Sequence, residues 1–336
     1  MVEKEAAGAQ RLLIDLGATN ARFALHRPGG EPEGVLRIPV AEQPDLVTAI
    51  RHYLEQTGAR PAAGAFAVAS AITGDRVALT NHPWTFSIAE TRAVLGLSHL
   101  SVINDFTAIA LALPRLQPTD VVKVGRGQGR PDAPLAVLGP GTGLGASGLL
   151  PTSSGWFAIA GEGGHATLPA MDRREQAILD LLRRRFGHVS AERAVSGQGL
   201  QNLYAAVAEL SGAAAQTDLA PADIAERGAA GADPVAREAL DHFCALLGTV
   251  AGNLTLTLGA LGGCFIAGGI APKIQAFLAG SRFRARFEEK GRFHDYMAAI
   301  PTWLVIRRTP AFLGLAHLLD HELGGAPASE RPLLLA

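Results

Sequence analysis

Apolar and polar positions along the chain switch between a two-residue and a three-to-four-residue period. Arg11–Leu16 (RLLIDL) is an apolar run ending in an aspartate and followed by a glycine, which predicts a buried strand. Asn20–His26 (NARFALH) alternates and predicts its hairpin partner. Residues 46–56 carry Leu46, Ile50, Tyr53 and Leu54 at helical spacing. Residues 64–71 and 75–80 predict a second strand pair around Thr73-Gly74. Residues 87–95 predict a helix opening on a capping box, Ser87 with Glu90 three residues on. Residues 100–103 form a strand pattern. Asn104 or Asp105 then caps a helix to about Leu113, stopped by Pro114.

Near residue 115 the pattern changes. Residues 116–132 are polar, with Pro118, Gly125, Gly127 and Gly129, and predict a boundary. Strand patterns follow at 134–138, 143–150 and 155–160, then helical ones at 173–186, 197–210 and 234–258. A strand at 264–267, a last strand at 303–306 and a last helix at 311–323 complete the order. Residues 243–272 hold no charged side chain and exceed the ~20 residues that span a bilayer. Asn253 and three threonines interrupt them, and Gly259, Gly262, Gly263, Gly268 and Gly269 break them near the end, which predicts a buried helix, a core strand and a glycine turn instead. Strand, glycine turn and return strand thus occur twice, at Asp15-Leu16-Gly17-Ala18-Thr19-Asn20 and at Gly139-Pro140-Gly141-Thr142-Gly143. No residue-level repeat accompanies them, which excludes a solenoid.

Composition narrows the classes. Of 336 residues, 48% are hydrophobic and 18% charged, enough for a large core and against global disorder. Thirty basic and 31 acidic residues leave a formal charge of -1, so nothing draws the chain to nucleic acid or an anionic membrane. Two cysteines, Cys244 and Cys264, suit neither a disulfide framework nor a zinc site. Residues 1–10 lack an apolar core segment, which predicts a frayed tail and a cytoplasmic location. Glycine is the anomaly: 39 occur, against about 24 at average usage.

The glycine turns carry the candidate chemistry. In the first, Gly17 lets backbone amides approach a phosphate, Thr19 offers a hydroxyl, and Asp15 can hold hydrated magnesium. An ordinary hairpin turn uses the same residue types. The second turn also imitates a dinucleotide fingerprint, since Gly141, Gly143 and Ala146 fit G-x-G-x-x-A with Glu162 about 20 residues on. That fingerprint must open a helix, and GLGASGLL is β-like. The chain has four lysines, none following a glycine loop as a P-loop requires. Asn104-Asp105 fits a helix cap. There the helix dipole favours the charged aspartate, which predicts an ionised acceptor at pH 7. Glu162 and His165 lie among glycines after a strand, as a surface turn also would; Glu192 also fits a helix first turn. Carboxylates, an amide and an imidazole together suit the directional hydrogen bonding of a polyol. His317 and His321 lack the glutamate of H-E-x-x-H, and the glycine–arginine run from Gly125 to Arg130 is short and free of aromatics.

In this order, LLIDLGATNARFAL, LTNHPWTFSI, INDFTAIALALP, VLGPGTGLGASGLL, GEGGHATLPA, ERAVSGQGLQNLY and LGGCFIAGGIAPK resemble the bacterial glucokinases of the hexokinase–actin superfamily, over roughly residues 11–320. The C-x-C-G-x-x-G-C motif of the zinc-containing sugar kinases does not occur. The resemblance implies an α/β fold of two ribonuclease-H-like domains flanking a cleft. The small domain would be 1–115, completed by a C-terminal helix at about 307–336, and the large one 116–306. It implies ATP-dependent phosphorylation of D-glucose at the 6-hydroxyl, the first step of glycolysis. A kinase for mannose, fructose or glucosamine is the alternative, and an NAD-dependent oxidoreductase a more distant one. Asp15, Gly17, Ala18, Thr19 and Asn20 would form the first phosphate loop. Gly139, Gly141, Thr142 and Gly143 would form the second, with Gly268 and Gly269 on the adenosine side. Asn104, Asp105, Glu162, His165 and Glu192 would bind the sugar, with Asp105 as catalytic base. Magnesium would arrive with ATP, water-bridged to Asp15, and the protein would be a homodimer. Pro140 and Ala18 depart from the commoner small residues at their positions without replacing a ligand side chain.

Overall fold

The computed structural model describes residues 10–17, 19–79, 84–153, 155–213, 216 and 218–324. The N-terminal tail, Ala18, the Asn81-His82-Pro83 stretch and the chain after Gly324 lie outside the described residues. The strands are β1 (Arg11–Leu16), β2 (Asn20–His26), β3 (Glu33–Pro39), β4 (Ala63–Val68), β5 (Arg76–Ala78), β6 (Thr85–Ser87), β7 (His99–Asn104), β8 (Val121–Lys123), β9 (Leu135–Pro140), β10 (Leu144–Thr152), β11 (Gly155–Ile159), β12 (Gly263–Ile266) and β13 (Thr302–Val305). The helices are α1 (Leu46–Thr57), α2 (Ile88–Val94), α3 (Asp105–Ala112), α4 (Arg173–Phe186), α5 (Gly197–Leu210), α6 (Pro221–Ala230), α7 (Pro234–Leu258), α8 (Gln275–Gly280), α9 (Phe283–Glu288), α10 (His294–Ala298) and α11 (Pro310–Glu322).

Two sheets share one plan. The first has the order β3-β2-β1-β4-β7 and the second β11-β10-β9-β12-β13-β8. Each begins with an antiparallel meander of three strands, β1-β2-β3 or β9-β10-β11. The meander's first strand then pairs in parallel with the next, β4 or β12. Parallel strands align their ends, so β1, β4 and β7 finish at one edge of the first sheet, while β9 and β12 finish at one edge of the second. Both glycine turns therefore project from strand ends. β8 lies within the expected linker, pairing antiparallel with β13 at the far edge of the second sheet.

Helices α3 and α11 pack between the sheets. Their Phe106, Ile109, Phe312 and Leu315 share one core with Leu13 and Ala65 of the first sheet and Leu135, Val137 and Phe265 of the second. The two helices approach closely enough that a Cβ at Gly314 would strike the carbonyl of Ala108. The end of α11 is held by charge. Asp320 accepts from Arg11 Nη1 at 2.6 Å and lies 3.0 Å from His26 Nε2, and both partners are buried.

The sequence expectations need two corrections here. The strand at 64–71 does not pair with the one at 75–80: β4 lies between β1 and β7, and β5 pairs instead with β6. Ser87 does cap α2, accepting from Glu90 N–H at 3.1 Å, while its own hydroxyl donates to Asp75 Oδ2. Strand β3 and helices α6, α8, α9 and α10 were not expected. β3 is an exposed edge strand whose pattern, EGVLRIP, buries only Ile38 and so carries little periodic signal. The long apolar segment is α7, the left-handed Gly259 (φ 60°) and β12. No helix among the described residues is long and apolar enough to cross a membrane.

Candidate active site

The first turn is closed by its own backbone. Gly17 N–H donates to Asn20 O at 3.1 Å, and Val40 N–H to Thr19 O at 3.0 Å. Asp15 stands opposite Arg22 across the β1–β2 register and accepts from its Nη1 at 2.8 Å. Burial pushes the Asp15 carboxyl above its ordinary value, and the Arg22 guanidinium opposes this without cancelling it. The Asn20 side chain is engaged sideways, its Oδ1 accepting from Arg37 Nε at 2.7 Å. Thr19 is exposed.

In the second turn, Gly141 N–H donates to Gly143 O at 2.8 Å, leaving Thr142 exposed at the tip. Behind it sits the turn after β12. Gly268 has φ +83°, and a Cβ there would strike the carbonyl of Pro140. A Cβ on Gly139 would lie 2.5 Å from the Ala267 carbonyl carbon. These two glycines thus serve the contact of two turns, and Ile270 N–H also reaches Pro140 O, at 3.3 Å. Gly269 is exposed with open space around its Cβ position.

Asn104 ends β7 and caps α3. Its Oδ1 accepts from Phe106 N–H at 2.8 Å and Thr107 N–H at 3.2 Å, and its Nδ2 donates to Ser70 O at 3.3 Å. Asp105 opens the helix. Burial pushes its carboxyl up to about 7, with the negative charges of Asp15 and Glu162 adding to the push. The Phe106 N–H, 2.9 Å from Oδ1, pulls the other way. An Asp105 fully ionised at pH 7 is therefore corrected. A helix dipole contributes ~0.3–1 kcal/mol, less than one pKa unit, while the shift from 3.8 spans about three. Phe106 fixes this corner further: a Cβ on Gly145 would run into its ring.

The turn after β11 carries Glu162 and His165, both exposed, with His165 N–H donating to Glu162 O at 3.0 Å. A Cβ on Gly164 would strike the Leu144 carbonyl, so this turn lies against β10. Its continuation pairs Thr167 with Ser190, and Ala191 N–H reaches Ala166 O at 2.9 Å. That bridge draws the short 3-10 turn Ala191–Arg193 alongside and sets Glu192 on the second glycine turn. There its Oε2 accepts from Leu144 N–H at 2.9 Å.

The raised Asp105 carboxyl thus lies within electrostatic reach of Asp15 on the first glycine turn and of Glu162 on the turn after β11. A family model described as Glucokinase matches residues 12–322. The chain belongs to the glucokinase family. A glucokinase of Paramagnetospirillum magneticum is 54% identical over 311 residues, which are 92% of this chain and 97% of that one. A glucokinase of Neisseria meningitidis is 47% identical over 318 residues, 94% of this chain and 97% of that one. Among solved structures, a glucokinase from an Antarctic psychrotroph aligns with TM-score 0.81 at 38% identity, over 91% of this chain and 97% of its own. A Balamuthia mandrillaris glucokinase solved with glucose aligns with TM-score 0.78 at 21% identity, over 94% of this chain and 95% of its own, and shows the shared fold.

Several groups at this site were not singled out from sequence. Arg22 could have been found by pairing the two predicted hairpin strands residue by residue, since the observed register sets it opposite Asp15. The Ser70 carbonyl and the Leu144 amide could not, because backbone groups leave no mark in residue identity. The sequence decoys have structural uses. Gly125 and Gly127 take φ of +94° and +106° against Arg284 and Ile300. His317 is driven down to about 4 by burial and by Arg115, so it is neutral at pH 7. The Cys244 and Cys264 thiols are buried and pushed up to about 12, which leaves them inert.

Proposed function

We propose that the chain transfers the γ-phosphoryl group of ATP to the 6-hydroxyl of D-glucose, giving glucose 6-phosphate and ADP. Asp105 carries this reading. It is a carboxylate at a strand–helix junction, poised near neutrality, between the Asp15 turn and the Glu162 turn. O6 attacks the γ-phosphorus in line, the new O–P bond forms as the bond to the β-phosphate oxygen breaks, and ADP leaves. Asp105 accepts the O6 proton, and a carboxyl near pH 7 is well matched to that work. The transition state is largely dissociative, so orientation of O6 matters as much as proton removal.

Asn104, Glu162, His165 and Glu192 bind the sugar hydroxyls in this reading. The backbone of Gly17 and Thr19 and that of Gly139, Gly141, Thr142 and Gly143 face the phosphates. Gly268 and Gly269 flank the adenosine. Magnesium carried by ATP would be held through water by Asp15, a hard carboxylate suited to it. It neutralises phosphate charge. Arg22 holds the Asp15 carboxylate at one oxygen, Oδ2, at 2.8 Å.

The same reading takes the first sheet with α11 as a small domain, residues 1–115 and 307–336, and residues 116–306 as a large one. It takes the protein as a cytoplasmic homodimer. The test is a coupled assay with ATP and magnesium against a panel of hexoses. ADP formation that depends on glucose is expected, and ADP formation indifferent to sugar would refute it.

A further inference from the structure

Glu192 belongs to the sugar set in the reading above, yet its carboxylate is engaged on the nucleotide side. Oε2 accepts from the N–H of Leu144, the first residue after the second phosphate turn, at 2.9 Å. The same oxygen fills the space beside Gly143, where a Cβ would collide with it. Oε1 has no hydrogen-bond partner among the described residues. The segment carrying Glu192 grips the turn a second time, because Gly197 N–H donates to Gly141 O at 2.9 Å. Between these grips, the buried Ser196 hydroxyl donates to the Glu192 carbonyl at 2.8 Å and accepts from Gly199 N–H at 2.9 Å. Residues 191–197 thus form a strap across the phosphate turn, anchored at both ends.

We propose that Glu192 is a positioning residue for the second phosphate turn: one carboxylate oxygen fixes the Leu144 amide while the other stays open to a sugar hydroxyl, so sugar and nucleotide binding are coupled through this side chain. The proposal rests on the kinase reading. A carboxylate held at one oxygen presents the other in a fixed direction. A sugar hydroxyl that binds it stiffens the strap, and the stiffened turn meets the nucleotide at lower cost. By linkage, the nucleotide must then favour the sugar by the same factor.

The test measures binding of magnesium-AMPPNP by calorimetry, first with no sugar present, in wild type and in Glu192→Gln, Glu192→Ala and Glu192→Asp. Glutamine keeps an acceptor for the Leu144 amide but loses the charge. Alanine loses the acceptor, and aspartate keeps the charge but is one methylene too short to reach. Without sugar, the alanine and aspartate variants should bind the analogue about tenfold more weakly, the size expected for a lost charge-assisted hydrogen bond. Glutamine should stay within about twofold of wild type. With glucose added, the gain in analogue affinity seen in wild type should persist in the glutamine variant and vanish in the aspartate variant. If the alanine variant does not fold, the aspartate variant decides. A residue that touched only sugar would leave all sugar-free affinities at the wild-type value, and that result overturns the proposal. Equal weakening by glutamine and alanine also overturns it, since charge rather than the hydrogen bond would then be responsible. A wild type that binds no analogue defeats the kinase reading and the proposal together. A wild type that phosphorylates glucose, with unmoved affinities in the variants, defeats the proposal alone.

Discussion

Replacing Asp105 with asparagine should make the protein more stable and nearly inactive. In the unfolded chain this carboxyl titrates near 3.8, and in the folded protein burial and two like charges move it to about 7. Between those values the folded state holds a proton that the unfolded state has lost. Stability therefore falls as pH rises through that window, by about 1.4 kcal/mol per unit. The full cost above pH 7 is about 4 kcal/mol, an upper limit because the side chain is part-buried and keeps some access to water. Asparagine is nearly isosteric, carries no charge and retains an acceptor for the Phe106 amide. At pH 7.5 the variant should be the more stable by up to about 4 kcal/mol, and at pH 5 by less than half of that. For 336 residues unfolding in one step, this is a rise in Tm of about 6 °C. Turnover should drop by ~10²–10⁴-fold with the base removed. Thermal unfolding from pH 5 to 8, paired with the coupled assay, reads both quantities. A stability difference that stays flat across this range would refute the burial argument, and near-normal turnover would remove Asp105 as base.

Three more expectations follow from other contacts. In wild type, kcat/KM should decline below pH about 7, tenfold per unit, as Asp105 takes up its proton; a profile flat from pH 5.5 to 8 would contradict that assignment. Asp320→Ala removes the carboxylate that Arg11 and His26 share, and urea unfolding should show a loss of about 3–5 kcal/mol. Gly145→Ala drives a methyl into the Phe106 ring beside the proposed base, so kcat should fall at least tenfold while far-ultraviolet circular dichroism stays unchanged.

The parts of this fold that could be read from sequence are those where one residue type has few structural uses. RLLIDL followed by glycine, and LAVLGP before a glycine–threonine turn, are buried strands that must stop where they do. Helices α4, α5 and α7 were legible because each starts with a capping residue and keeps an apolar stripe for three turns or more. Pairing was less legible. Nothing in AGAFAV distinguishes a hairpin strand from a parallel one, and β4 turned out to be buried on both faces between two parallel partners. The candidate site residues were named from motifs, and their order in the chain was enough for that. The charge state of Asp105 was not available the same way, because it depends first on burial and then on Asp15 and Glu162, 90 and 57 positions away. A local rule about helix starts gave the wrong sign there because burial, the largest cause, and the added charges of Asp15 and Glu162 outweigh the helix dipole.

The anchor between Arg11 and Asp320 spans 309 positions, nearly the length of the chain. During synthesis at ~5–20 residues per second, the first sheet, complete at Asn104, emerges roughly 10–40 seconds before α11 exists. Through that interval Arg11 and His26 await the Asp320 carboxylate, and the apolar face of β1 and β4 that will meet Phe312 and Leu315 is bare. The ribosome therefore delivers an N-terminal half that is complete in sequence but unfinished in structure, and a chain stalled before residue 310 carries an open face for chaperones to hold.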